Sequence, residues 1–522
     1  MRRQERRYHS FTSVDLCAVM AGANDVITIL QRLLPEVSAP VSTNRGGEEV
    51  LLNRITFSMI CLVIYMILSS VPVYGAFEML SGHDPLYAQR LILSANRGSL
   101  LELGLSPIIT AGMFLRVLES AGIVSKHVEG KGGKGTSGNE YRRKLTRIAA
   151  LILSLLQAIM IVASGMYGNI KTLGYGNAVL IIAQLFIASL IVSLMDEAME
   201  KGHGLGSGVT LFMCAHICTD VIWRLLCPFM VSHGSGSDFV GIFVAIPHIL
   251  LTRRNVFKAL YEIFFRERLS NLYSVVSMMI VSVITLYLST FSVDLPLRRD
   301  KKGKGPATNN ALERYSIPLF YTSSMPVMLY FTSVGNFLFI SQVLSTSYPR
   351  NGLIKMMGSW QQSQANGQFI PTSGLAYLIS PPISIAAVLA DPFQCLFYIS
   401  FVLSACSMLS QMYTEVSGTD PQHVVEQLRE QGFSLRGHRE TNLYKVVNKY
   451  IPTAASLGGI IIGAISLFAD FTGCMASGGG VLIVTSTIYS YAQTIRAEKR
   501  LNKMGIKDVL RSIMTHISGD NA

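Results

Sequence analysis

Long apolar segments, separated by polar and basic ones, recur along most of the chain. A helix needs about 20 mostly apolar residues to cross a bilayer. Ten segments come close to that length: 55–74, 99–121, 145–165, 177–195, 205–227, 272–291, 325–345, 392–412, 452–471 and 475–495. The pattern predicts an all-α polytopic membrane protein with ten transmembrane helices.

Two further apolar stretches are not predicted to span. Residues 239–251 are too short, so we expect an interfacial or buried segment there. Residues 374–390 contain Pro381–Pro382, which interrupts a helix. Residues 1–53 are polar and basic, and the first apolar run begins only after Arg54, too late for a cleaved signal peptide.

Positive charge is distributed unevenly between the two sides of the predicted membrane. The chain is 50% hydrophobic and only 15% charged, yet its formal net charge is +12. With a cytosolic N-terminus, 33 Lys and Arg residues lie on the cytosolic side and 10 on the other. The positive-inside rule therefore places both termini in the cytosol. The cluster at 253–268 is the exception, in a long amphipathic segment where the rule is weaker.

The centres of the predicted spans carry almost no charge. Ion-coupled transporters usually have ionisable groups there, and solute transporters need a polar site at the midplane. Hydrolase and zinc-protease motifs are absent, and the glycine-rich 126–147 segment lacks phosphate-loop spacing. We therefore expect no enzyme activity, no cofactor and no metal site. A solute transporter and an intramembrane enzyme remain the weaker alternatives.

The second predicted span is broken by its own sequence. Residues 96–110 read NRGSLLELGLSPIIT, and Gly104 and Pro107 should divide the segment into a short helix and a longer one. A broken helix is tolerated in a membrane only where it is buried in protein or lines a cavity. The sequence therefore predicts a cavity or a pore.

Two large cytosolic loops carry clustered basic residues. Residues 292–324 contain LRRDKKGKG, and residues 413–451 contain RGHRE after a predicted amphipathic helix at 421–431. Such clusters can bind phosphate backbones. They can equally be solvated loops that follow the positive-inside rule, and the residues alone favour that interpretation.

Several motifs resemble the SecY family, in the order and spacing of that family. They are ILSANRGSLLELGLSPIITAG (92–112), MDEAMEKGHGLGSGVTLF (195–212), VDLPL (293–297), LFYTSSMPVML (319–329), YLISPP (377–382), EVSG (415–418), RGHRETN (436–442), YIPTAA (450–455) and ADFTG (469–473). The resemblance covers roughly residues 25–495. Its details look more like the eukaryotic alpha subunit of the endoplasmic-reticulum Sec translocon than the bacterial protein.

The resemblance implies a clamshell of two pseudo-symmetric five-helix halves around an hourglass pore. The halves would be 54–270 and 271–495, although no internal repeat is visible in the sequence. A cytosolic amphipathic helix and linker at 25–53 would precede them, and a cytosolic tail at 496–522 would follow. The basic extension 1–24 has no counterpart in the family, and is either a disordered tail or a misassigned start.

The resemblance also implies functional residues. The apolar pore ring would be Leu105, Ile109, Val209, Met213, Val327 and Leu482. The plug would be Arg97, Gly98, Ser99, Leu100, Leu101, Glu102, Leu103 and Gly104. A polar cluster at the lateral gate would be Thr110, Gln157 and Asn336. Ribosome-binding residues would be Arg298, Arg299, Lys301, Lys302, Arg436, His438 and Arg439.

The implied function is a passive protein-conducting channel of the endoplasmic-reticulum membrane. It would translocate secretory polypeptides and release apolar segments sideways into lipid. The implied partners are single-span gamma and beta subunits, the ribosome, nascent chains with signal sequences, post-translational Sec partners, a lumenal ATPase and membrane lipid. Val209 and Met213 differ from the isoleucines common in the family, which should alter the seal slightly.

Overall fold

The computed structural model describes residues 47–75, 87–120, 136–164, 167, 173–233, 236–253, 255–266, 269–299, 312–347, 351–362, 369–381, 391–417, 419–430, 433–435 and 440–496. Within these residues, eight helices are long and apolar enough to cross a membrane. Each coincides with a predicted span.

The helices of the first half, in chain order, are α1 Gly47–Ser70, α2 Tyr87–Ile92, α3 Ser106–Ser120, α4 Thr136–Ala163, α5 Tyr175–Ala198, α6 Gly208–Leu226, α7 Ile242–Thr252 and α8 Val256–Phe264. A π-helical turn, Met199–His203, extends α5. The helices of the second half are α9 Leu272–Ser289, α10 Met325–Ser347, α11 Gly352–Met357, α12 Leu375–Ile379, α13 Pro392–Val416, α14 Pro421–Glu430, α15 Glu440–Phe471 and α16, residues 478–496.

The second and tenth predicted spans are the two outside the group of eight. The helix of the second span, α3, begins at Ser106 instead of residue 99, with Pro107 in its first turn, where a missing N–H costs nothing. The prediction of a short helix around 97–104 is wrong, because this segment folds as tight turns. The tenth span, α16, begins at 478 after a turn.

Both segments predicted not to span are confirmed where they are described. The 239–251 stretch forms α7, only 11 residues long, which buries Ile242, Ala245 and Ile249. The 374–390 stretch forms the five-residue α12, which ends before Pro381. The remainder of that stretch, 382–390, lies outside the described residues, as do the predicted 1–24 extension and most of the predicted 25–53 linker.

Short strands, which were not predicted, form three small sheets between the helices. The strands are β1 Met230–His233, β2 Gly236–Phe239, β3 Ser292–Arg299, β4 Leu312–Pro318, β5 Ser359–Gln362, β6 Phe369–Ser373 and β7 Phe433–Leu435. β1 pairs with β2 and β5 with β6, both antiparallel. The third sheet has the order β4-β3-β7, so it joins two loops that are far apart in sequence.

One large buried cluster runs through the centre of the molecule and draws side chains from both halves, including α1, α3, α5, α6, α10, α13, α15 and α16. The outward faces of the same helices are also apolar, as at Val179, Val283 and Ile488, which are 66%, 61% and 54% exposed. A helix that is apolar on every side is buried in protein or in lipid. Lipid is therefore the medium around this bundle.

Candidate functional site

All six side chains of the predicted ring lie together in the central cluster. Four helices or their flanks supply them. Leu105 immediately precedes α3 and Ile109 lies on it, Val209 and Met213 lie on α6, Val327 on α10, and Leu482 on α16. Each is at most 8% exposed, and Leu105, Met213 and Val327 are fully buried. All six therefore pack in the same buried apolar cluster, which draws on both halves of the chain.

A cavity of about 310 Å³, called the vestibule below, opens beside these residues. Residues next to the ring positions line it, including Ser207 and Thr210 on α6, Met325 on α10, and Ser486 on α16. Nine of the fourteen described residues that line it carry a hydroxyl group, and Arg54 is the one charged residue among those fourteen.

The predicted plug lies in the turns that precede α3. Gly98 and Gly104 both have positive φ, of 74° and 56°. A Cβ at Gly104 would lie 2.5 Å from the carbonyl oxygen of Leu93, so the chain passes too close there for any side chain. The Leu105 N–H also donates to the Leu93 oxygen at 2.9 Å. These constraints explain why the segment turns instead of forming a helix.

The same segment is tied to the end of α1. The Leu100 N–H donates to the Val71 oxygen, and the Val73 N–H donates to the Gly98 oxygen, both at 3.0 Å. Arg54 lines the vestibule at the other end of α1, 17 residues or about 25 Å earlier along a helix. The predicted plug therefore lies on the far side of the ring from the vestibule.

A buried acidic residue anchors the predicted plug. Glu102 is 5% exposed and accepts hydrogen bonds from the Tyr167 hydroxyl and, at 3.4 Å, from the Gly98 N–H. Its other oxygen lies 3.9 Å from the Arg90 guanidinium. These polar contacts fix the segment in place, and its buried leucines Leu101 and Leu103 face the apolar interior.

The three polar residues predicted at the lateral gate form one hydrogen-bonded network. Asn336 on α10 donates to the Thr110 hydroxyl on α3 at 2.8 Å. Ser106, which the sequence analysis did not single out, completes it: its hydroxyl donates to the Asn336 carbonyl oxygen at 3.1 Å and accepts from Gln157 on α4 at 3.4 Å. The network joins the first half of the chain to the second.

A second contact between the halves was missed from sequence. The guanidinium of Arg116, on α3, lies 4.6 Å from the centre of the Tyr413 ring on α13. A cation over an aromatic ring is worth about 0.5–1 kcal/mol at exposed sites. It stabilises the same seam as the Asn336 network.

The two basic loops meet through the three-stranded sheet. Leu297 and Arg298 of β3 pair with Leu435 and Ser434 of β7. The hydroxyl of Tyr321, beyond β4, also donates to the Thr419 oxygen at 2.9 Å. The predicted amphipathic helix is confirmed as α14, and its buried Val424, Val425 and Leu428 pack beneath the sheet.

The sheet thus makes one surface from two loops. Of the predicted ribosome-binding residues, Arg298 and Arg299 lie on β3, which places their backbones at this surface. The RGHRE motif begins immediately after β7. Lys301, Lys302, Arg436, His438 and Arg439 lie outside the described residues.

The fold defines a polytopic α-helical membrane protein whose two halves share one buried central cluster. A SecY model matches residues 99–492, and a model for the plug domain of Sec61p matches residues 63–98. Of the predicted plug, 97–104, Arg97 and Gly98 fall within the second match. A relative from Dictyostelium discoideum, Protein transport protein Sec61 subunit alpha, is 38% identical over 482 residues, or 92% of this chain and 98% of the relative. The chain belongs to the SecY family.

Solved structures share the fold. A protein-conducting channel superposes with a TM-score of 0.71 at 22% identity, covering 91% of this chain and 98% of that one. Sec61 in the canine ribosome-channel complex from the endoplasmic reticulum gives a TM-score of 0.69 at 22% identity, covering 91% and 97%. At this identity the likeness concerns the arrangement of helices.

Proposed function

We propose that this chain is the pore-forming subunit of a protein-conducting channel in the endoplasmic-reticulum membrane. The observation that carries the proposal is the packing of all six predicted ring side chains in one buried cluster, beside a vestibule lined mostly by hydroxyl-bearing residues. A narrow apolar constriction expels water and so resists ions. It has no charged group that would retain a passing polypeptide.

The channel is a passive conduit in this proposal. Residues 97–104 are the plug, and the seam between α3–α4 and α10–α13 is the lateral gate through which apolar segments reach lipid. The two halves, 54–270 and 271–495, would separate along that seam. Its weak bonds, from Asn336 and Arg116, are few enough to break without an energy source in the chain.

The driving force must then come from partners. The sequence has no phosphate-loop spacing, so we infer that a translating ribosome or a lumenal ATPase with post-translational Sec partners supplies it. The canine relative of known structure is part of a ribosome-channel complex from the endoplasmic reticulum, which supports that location and partner. Gamma and beta subunits complete the proposed assembly. The charge asymmetry supports cytosolic termini.

A photo-crosslinking residue at Met213 tests the conduction route. Microsomes carrying this variant would receive ribosomes stalled on a secretory chain. We expect a crosslink between position 213 and the nascent chain, lost when the chain lacks its signal sequence. The same probe at Ile488, whose side chain faces outward at 54% exposure, should give no such crosslink to the hydrophilic part of the chain. Solute uptake without a crosslink at 213 would instead favour a transporter.

Ribosome binding through the joined basic loops gives a separate prediction. Arg439→Glu should weaken binding of non-translating ribosomes about tenfold and reduce its dependence on salt, because one phosphate contact is lost and one repulsion gained. The measurement is co-sedimentation of ribosomes with proteoliposomes at several salt concentrations. Lys355→Glu, on α11 at the opposite membrane face, is the matched control. Equal binding of both variants at every salt concentration would contradict the assignment.

A further inference from the structure

Two aspartates occupy equivalent places in the two halves of the chain. Asp196 lies near the end of α5 and Asp470 near the end of α15. A glycine-rich connection follows each of them, and then the next helix begins, at Gly208 for α6 and at 478 for α16. Neither aspartate belongs to the ring, the plug or the gate.

Each aspartate binds the backbone at the start of the helix that follows it. The Val209 N–H donates to Asp196 Oδ1 at 3.0 Å, and the Gly478 N–H donates to Asp470 Oδ1 at 2.7 Å. N–H groups in the first turn of a helix have no partner within that helix. Ser207, the residue at the N-cap position of α6, makes no side-chain capping bond. The cap of α6 therefore comes from the preceding helix, whereas at α16 the aspartate is joined by a local cap, the Ser477 hydroxyl, which accepts from the Gly480 N–H at 3.4 Å.

Close packing at both helix starts supports the same arrangement. A Cβ at Gly208 would lie 2.8 Å from Asp196 Oδ1, and a Cβ at Gly478 would lie 2.1 Å from the carbonyl oxygen of Ser466 on α15. Glycine is required at both positions because the start of the new helix is pressed against the end of the old one. Each start is thus held by contact as well as by a hydrogen bond.

Both capped N–H groups lie within one helical turn of a predicted ring residue. Val209 is itself a ring residue, and Met213 follows it by four residues. Leu482 follows Gly478 by the same four residues, which is about 6 Å along a helix. A shift of either helix start along its axis would move these side chains out of the plane of the ring.

We propose that Asp196 and Asp470 are positioning residues for the ring, each fixing one pore helix along its axis. The proposal rests on the proposed function of the ring. The two caps act from opposite membrane faces: α6 begins at the vestibule, lined by Ser207, whereas α16 ends there, lined by Thr494. The pseudo-symmetry that the sequence hides is therefore visible in this pair of contacts.

Ion leak through ribosome-free proteoliposomes tests the proposal. Asp196→Leu and Asp470→Leu should each raise the leak about fivefold, the factor by which losing one helix cap typically shifts an equilibrium. Asp196→Asn and Asp470→Asn should leave it near the wild-type value, since the amide oxygen still accepts the hydrogen bond. Asp391→Leu is the control, because Asp391 stands at the N-cap position of α13 without making a side-chain capping bond, and α13 supplies no ring residue.

The outcomes distinguish the positioning role of the two aspartates from the sealing role of the ring. Leak from Leu482→Asn without leak from the two Leu variants would overturn the positioning role and leave the ring in place. If the Leu variants do not accumulate, Asn and Glu variants decide. Glu keeps the charge but displaces the acceptor, so a leaky Glu with a tight Asn supports the proposal. A tight Glu with a leaky Asn would contradict it, because charge and not hydrogen-bond geometry would then matter.

Discussion

Leu482→Asn should open the resting channel to ions, with a leak at least about tenfold above wild type. Leu482 is 2% exposed and packs with the other five ring residues. Asparagine nearly matches its shape but carries an amide that needs hydrogen bonds, and an unpaired buried amide costs about 1–3 kcal/mol. Water entering the constriction removes that cost. The ring then stays wet and no longer excludes ions.

The experiment compares ion conductance in proteoliposomes with thermal stability of the same preparations. Ile488→Asn is the control, since Ile488 is six residues further along the same helix with its side chain exposed to lipid. We expect Leu482→Asn to leak and Ile488→Asn not to leak. A tight Leu482→Asn channel at normal stability would show that these six residues are not the seal, whatever their packing.

Asn336→Leu should make the lateral gate accept weaker signal sequences. The change removes two hydrogen bonds between the halves, to Thr110 at 2.8 Å and from Ser106 at 3.1 Å. Their combined loss is worth about 1–3 kcal/mol, or roughly a 5- to 150-fold shift towards the open seam. Marginally hydrophobic signal sequences, which compete poorly with the closed gate, should gain most. Strongly hydrophobic ones are already accepted and should change little.

The readout is the fraction of each reporter translocated across a series of signal sequences of graded hydrophobicity. Thr332→Val is the matched control on the same helix, because the Thr332 hydroxyl bonds only to the Met328 oxygen of its own helix in the described contacts. Its signal selectivity should equal that of wild type. An unchanged threshold in Asn336→Leu would mean that the network does not hold the gate.

The positions of most helices could be read directly from the sequence. A run of about 20 apolar residues crosses a bilayer as a helix, because every backbone polar group must be satisfied within the segment. Residues 239–251 are too few to cross a bilayer as a helix, and the prolines after Ser380 interrupt one. Neither segment was therefore predicted to span. The six ring residues were assigned by motif resemblance, and the structure gathers them in one cluster. The chain's own periodicity could not have selected them from other apolar positions.

The segment before α3 shows where local interpretation fails. Gly104 and Pro107 correctly marked a break, but the expected short helix is absent. The turns depend on the approach of Leu93 to Gly104 and on pairing with the end of α1, contacts between segments that no local pattern contains. Ser106 was likewise overlooked, since a serine at a helix start is ordinarily a local cap. Its partners lie 51 and 230 residues away.

Sequence alone thus determined the class of protein, the membrane-spanning segments and the side on which the basic loops are expected, because hydropathy and charge act on each segment independently. Tertiary structure decided which polar groups meet. It joined β3 to β7 into one surface, placed Asn336 between Thr110 and Ser106, and set Asp196 and Asp470 against the helices that follow them. Hydrogen bonds require atoms within about 3 Å in a fixed direction, and only the packed chain establishes such distances between segments remote in sequence.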